Sequence, residues 1–179
     1  MVHVALLRGV NVGGRTMVAM AELRALLETL GLGKVRTLLA SGNAVFESPK
    51  LSGAKLEGKL EEAIRAGLGV ETTVLVRTPE ELEEAVAANP FREEARSDPA
   101  RLHVMFLRSA PAAAHVSALQ AAIKGRETVR ASGRHAYLFY PDGMGKSRLT
   151  IDVIEKHLAA RGTARNWNTV TKLAALARE

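Results

Sequence analysis

Within the eight residues Arg8-Gly9-Val10-Asn11-Val12-Gly13-Gly14-Arg15 the chain places two guanidinium groups and three glycines. Glycine leaves the backbone N–H unshielded, and successive bare amides beside full positive charge form a concavity suited to phosphate or carboxylate. A turn at Ser41-Gly42-Asn43 offers a hydroxyl and an amide that would complete such a site. The candidate ligand set is therefore Arg8, Asn11, Gly13, Gly14, Arg15, Ser41 and Asn43, for a small anion. The same residues also fit ordinary turn chemistry, since Gly-Gly and Ser-Gly-Asn are common hairpin connections.

Two further segments carry recognition chemistry. Asp142-Gly143-Met144-Gly145-Lys146-Ser147 resembles the tail of a nucleotide-binding P-loop, but Tyr140 stands where the first glycine of that motif belongs, so nucleotide hydrolysis by that route is set aside. Lys146 stays a secondary anion candidate, opposed by its reading as a solvated lysine in a loop where Ser147 caps the next helix. Thr163-Ala164-Arg165-Asn166-Trp167-Asn168-Thr169 holds the only tryptophan with a cation and two amides. Arg165, Asn166, Trp167 and Asn168 are thus secondary candidates; the plainer reading makes Trp167 a core anchor and Asn166 or Asn168 a helix cap.

Absent cysteine removes disulfides, thiolate metal sites and cysteine nucleophiles. The histidines His3, His103, His115, His135 and His157 lack metal-ligand spacing, and no catalytic triad, acid pair or cofactor motif is evident. We therefore expect no metal and no cofactor. A formal charge of +6 with 25 Lys and Arg admits nucleic acid as an alternative partner through a basic face. However, the cations are interleaved with Glu22, Glu28, Glu57, Glu61 and Glu62, as on a solvated surface. Phe106, Tyr137 and Phe139 are candidates for base stacking but read more simply as core. The apolar run Val2–Leu7 is too short for a signal-peptide core, and nothing approaches a membrane span, so a cytoplasmic protein with no membrane partner is expected. The sequence leaves the oligomeric state open.

The elements that must position these residues follow from an internal repeat. His3-Val4-Ala5-Leu6-Leu7-Arg8 returns as His103-Val104-Met105-Phe106-Leu107-Arg108, and Leu39-Ala40-Ser41-Gly42-Asn43-Ala44 is echoed by Arg130-Ala131-Ser132-Gly133-Arg134-His135. The first copy reads as a strand over 2–7, a helix over 19–30, strands over 35–40 and 44–46, a helix over 53–66 and a strand over 72–76. The second reads as a strand over 102–107, a helix over 112–123, strands over 128–130 and 136–140, a helix over 148–160 and a short strand over 163–165. Thr78 should cap a helix over 80–88 with Pro79 at its first position, and 169–177 should form its counterpart.

Strand, helix, strand, strand, helix, strand predicts an α/β (α+β) fold of duplicated ferredoxin-like units with mainly antiparallel sheets. The expected divisions are 1–78, a helix and linker over 79–100, with Asn89–Pro99 as the linker, and 101–179. Counting from the hairpins matches Val74 to Arg165. From Arg8 to Gly42 is 34 residues and from Arg108 to Gly133 is 25, so nine extra residues fall within Asn11–Ala19. A right-handed crossover brings that loop and the Ser41–Asn43 turn to one sheet edge, and a lengthened loop on a repeated scaffold is where function is expected.

The motifs Leu6-Leu7-Arg8-Gly9-Val10-Asn11-Val12-Gly13-Gly14, Met20-Ala21-Glu22-Leu23-Arg24, Ser41-Gly42-Asn43-Ala44-Val45-Phe46, Asn89-Pro90-Phe91 and Thr163-Ala164-Arg165-Asn166-Trp167-Asn168-Thr169-Val170 together resemble the bacterial family called domain of unknown function 1697. The resemblance implies the duplicated ferredoxin-like architecture and carries over no activity or catalytic residue. Arg15-Thr16 and Ala40 depart from its pattern, where a lysine-bearing stretch and a glutamine are expected. The functional expectation is an uncharacterised protein that binds a small anion at the glycine-rich loop. The alternatives are nucleic-acid binding and an enzyme acting at the same loops.

Overall fold

A computed structural model describes residues 1–179. It contains two compact units, Met1–Glu83 with Leu173–Glu179, and Glu84–Lys172. No helix is long and apolar enough to cross a membrane.

The first unit runs β1 (Val2–Leu7), α1 (Met20–Thr29), β2 (Gly33–Thr37), β3 (Asn43–Glu47), α2 (Gly53–Leu68) and β4 (Val74–Arg77), in sheet order β2-β3-β1-β4 with every pair antiparallel. This is the ferredoxin-like arrangement. Alternation along β1 sends Ala5 and Leu7 to the helices, where Leu23 and Leu27 of α1 and Leu56, Leu60 and Ile64 of α2 cover them. Each buried leucine or isoleucine among them stabilises the unit by about 1.5–3 kcal/mol. Val4 and Leu6 on the opposite face are equally buried, as an apolar run without polar alternation requires. Glu57 and Glu61 of α2 accept from the backbone N–H of Val76 and Val74, each at 2.9 Å, which satisfies edge donors of β4.

After β4 comes α3 (Pro79–Ala87). Thr78 Oγ1 accepts from Glu81 N, and Glu81 Oε2 accepts from Thr78 N, a reciprocal capping box that starts α3 where Pro79 occupies the first turn. The expected linker Asn89–Pro99 is not plain coil: it contains α4 (Arg92–Ser97), and a 3-10 turn follows at Pro99–Arg101.

The second unit repeats the pattern with β5 (Leu102–Leu107), α5 (Ala113–Ala122), β6 (Thr128–Ser132), β7 (His135–Phe139), α6 (Ile151–Leu158) and β8 (Gly162–Asn166), in order β6-β7-β5-β8, and α7 (Trp167–Leu176) starts within it. Met105, Leu107, Ala136 and Leu138 pack under Leu119, Ile154 and Leu158. On its other face the Tyr137 hydroxyl donates to Ala85 O at 2.6 Å, and Phe91 stacks on Phe139. Phe106 and Tyr137 are fully buried, as the core reading expected, so neither ring is open to a base.

Sheet register corrects three sequence matches. Val4 pairs with Arg77 and Val104 with Arg165, so Arg165 corresponds to Arg77 rather than to Val74. Leu7 N donates to Gly42 O and Leu107 N to Arg134 O, which moves the hairpin echo by one residue, from Gly133 to Arg134. The extra length is also shared differently. Between β1 and α1 lie twelve residues (8–19) against five (108–112) between β5 and α5, and the β2–β3 turn has five (38–42) against two (133–134) between β6 and β7. Both lengthened connections belong to the first unit, seven residues longer after β1 and three longer at the turn, so the added length is not confined to 11–19.

Candidate functional site

The connection after β1 is a small hydrogen-bonded finger. Val12 and Arg15 form an antiparallel bridge, Arg15 N donates to Val12 O at 3.1 Å, and Asn11 N donates to Thr16 O at 3.0 Å. Gly13 and Gly14 lie between them at φ 60° and 72°, the two left-handed positions of a tight turn whose twist suits a hairpin. The glycine pair thus shapes the finger, and its tip leaves these residues exposed.

Asn11 ties this finger to the rest of the unit. Its Nδ2 donates to Val18 O at 2.8 Å and to Ala40 O at 2.6 Å, while its Oδ1 accepts from Val18 N at 2.8 Å. Buried Val10 and Val18 anchor the two feet of the finger. The Arg8 backbone is held from the other side, by Arg8 N donating to Thr73 O and Thr72 Oγ1 donating to Arg8 O. Loop and turn therefore share one edge. Gly42 explains how closely they approach: a Cβ there would lie 2.6 Å from Val10 Cγ2 and 2.8 Å from Leu7 Cβ.

The expected ligand residues take different roles within this edge. Asn43 is fully buried, and its amide donates to Leu38 O and Ser41 Oγ, so it shapes the turn. Asn11 likewise spends its amide on main-chain partners. Gly13, Gly14, Arg15 and Ser41 are exposed, and Arg8 is half-buried. Ala19 precedes α1 without a side-chain cap, so the first-turn N–H groups point their partial positive charge outward, with Glu22 in the same turn. Residues 1–21 and 29–46 contain no Asp or Glu, so both connections carry cations without acids of their own.

Sequence reasoning missed the apolar part of this edge. Val12, Met17 and Leu39 are 65%, 67% and 54% exposed, and with Met1 they are the exposed large hydrophobics of the chain. Leu39 also has φ 60°, a left-handed conformation in which a bulky side chain is strained. A signal existed: Val12 and Met17 sit in a loop without the alternation that would bury them.

The secondary candidates belong to the second unit. Lys146 ends a 3-10 turn at Met144–Lys146 and, with Lys124 and Arg148, rims a cavity of about 310 Å³ whose wall includes Leu119 and Leu149. Ser147 does not cap α6, which begins at Ile151 rather than Arg148. Thr150 does so by accepting from Val153 N, while Ser147 Oγ donates to Glu127 and accepts from Leu149 N. Trp167 is buried, and Asn166 caps α7 through a 2.9 Å bond from Asn168 N. Arg165 is buried too, with Nη1 donating to Thr163 Oγ1 at 2.7 Å and to Ala164 O at 2.9 Å. Desolvation pushes its guanidinium down to about 10.

Many cations form surface ion pairs, among them Arg24 with Glu28, Lys34 with Glu47, Arg126 with Asp142 and Arg178 with Glu80 and Glu83. Arg15 makes no ion pair. Buried His3 has neither ring nitrogen hydrogen-bonded, and desolvation, with the N-terminal ammonium, lowers its pKa against a smaller opposing effect of Glu81. Burial lowers His103 as well.

A family model described as protein of unknown function (DUF1697) matches residues 1–137. The structure of the conserved bacterial protein SP0830 from Streptococcus pneumoniae is similar over 98% of each chain, with 26% sequence identity and a TM-score of 0.75. No curated protein matches the chain.

Proposed function

The chain belongs to this family of proteins of unknown function, and from that premise we propose that it binds an anionic ligand, phosphate- or carboxylate-bearing, at the finger after β1. The observation that carries the reading is the lock made by Asn11: an exposed cationic hairpin is held at fixed geometry against the β2–β3 turn. Ordered charge loses less freedom on binding than a floppy loop would. In this reading Arg15, Arg8, Ser41 and the amides of Gly13 and Gly14 meet the anion, and Asn11 and Asn43 position them.

Neither connection carries a carboxylate of its own to act as a base, which supports binding over catalysis at the finger. Burial of Phe106 and Tyr137, with only Phe139 half-buried, favours the anion reading over base stacking on the sheet of the second unit. The test is thermal denaturation across phosphate, pyrophosphate, citrate and nucleotides, with Arg15→Ala beside the wild type. A ligand at 100 times its dissociation constant stabilises by about 2.7 kcal/mol and raises Tm by several degrees. A flat panel, or an Arg15→Ala protein that responds like wild type, rejects the reading.

A further inference from the structure

We infer that the finger and the β2–β3 turn form a docking surface for a partner protein, and that the docked element is an acidic segment bearing large apolar side chains. The cationic half of this inference rests on the reading above; the apolar half is independent of it. Val12 neighbours Asn11, Met17 neighbours Val18 and Leu39 neighbours Ala40, so each exposed apolar residue is one step along the chain from a group in the Asn11 hydrogen-bond set. One step is about 3.8 Å between Cα atoms, and the lock therefore holds the three segments that carry these side chains at one edge of the unit.

Large apolar side chains left in solvent along one edge are a recurrent mark of interaction sites. The second unit supplies the contrast, because it lacks both long connections and has none of the exposed large hydrophobics. Leu39 sharpens the point: its left-handed backbone favours Gly or Asn, yet the position holds a strained and exposed leucine. With Arg8 and Arg15 nearby and no Asp or Glu in 1–21 or 29–46, the complementary surface is acidic. An apolar centre with a charged rim is the usual anatomy of a small protein interface, and three anchors suit a weak, reversible one.

A random dodecapeptide library displayed on phage and selected on the full chain provides the test. Enriched peptides should combine Asp or Glu with Leu, Ile, Phe or Trp, and bind in fluorescence anisotropy. The variant Val12→Ser/Met17→Ser/Leu39→Asn should weaken the best peptide at least tenfold while keeping its Tm and its response to small anions. No enrichment, enrichment of basic or purely polar peptides, or affinity within about twofold in the triple variant overturns the inference. So does a wild-type dimer in sedimentation that the triple variant disperses without any peptide being selected, which assigns the patch to a second copy. A flat anion panel alone defeats the anion reading, whereas peptide binding indifferent to Arg15→Ala overturns the acidic half of this inference too.

Discussion

The Asn11 side chain reaches Ala40 O at 2.6 Å across a sequence separation of 29 residues, and that bond joins the two connections that are longer in the first unit than in the second. Neither connection is regular structure. Their mutual geometry therefore leans on this amide together with the close packing of Gly42 against Val10.

Replacing that amide should be costly in two separable ways. We predict that Asn11→Gly, which tolerates φ 55° but removes three hydrogen bonds, costs about 1–3 kcal/mol in urea denaturation. Asn11→Ala should cost about 1 kcal/mol more because alanine is strained at that φ. Any anion response should be lost in both. An unchanged midpoint for Asn11→Gly would show that the finger stands without its lock.

Two glycines that look alike in sequence should respond differently to alanine. At Gly42 a Cβ meets Val10 and Leu7 below 3 Å and the backbone is left-handed, so Gly42→Ala should lose about 3 kcal/mol or more. At Gly13 nothing lies within 4 Å, and only the backbone penalty of about 1 kcal/mol applies. Equal losses by chemical denaturation would contradict this packing account.

Buried His3 predicts a pH dependence whose sign can be worked out. Its folded pKa lies below the ordinary 6.5, so between those two values the unfolded chain binds a proton that the folded chain excludes. Stability is then highest above about pH 6.5 and falls as pH drops through the folded value; His103 acts in the same direction. His3→Leu should flatten the acid limb of stability against pH, measured from about pH 8 to 5. An identical slope in the variant would place the proton uptake elsewhere.

The start of α6 gives a simple check on capping. Thr150→Ala removes the side chain that accepts from Val153 N and should cost about 1 kcal/mol. Circular dichroism melts that do not distinguish it from wild type would show that the cap contributes little.

Much of the scaffold was legible because its signals are local. The apolar runs of β1 and β5 end at arginines, and Thr78-Pro79 with Glu81 spells out a helix start. The duplicated order of elements followed from these. Register did not, since a repeated Ser-Gly pair marks a turn without saying which Cα atoms face each other, and the match of Gly42 to Arg134 needed the sheet itself. Arg165 reads as a surface cation in a polar motif; pairing of β8 with β5 buries it. The finger shows the same limit most sharply. Val10 and Val18 are buried while Val12 and Met17 are exposed, and nothing in residue type separates them. The bonds of Asn11 and the close approach of Gly42 to Val10 are what set which side of the loop faces inward.

The unequal lengths of the duplicated connections have a consequence for how such a chain can diverge. Residues 108–112 and 133–134 show that the same plait closes with minimal joins, so the added stretches around 8–19 and 38–42 are ornaments on a chassis that already holds. Drift at the tips can retarget the molecule without touching its sheets, whereas drift at Asn11 or Gly42 uncouples the ornament from its mount.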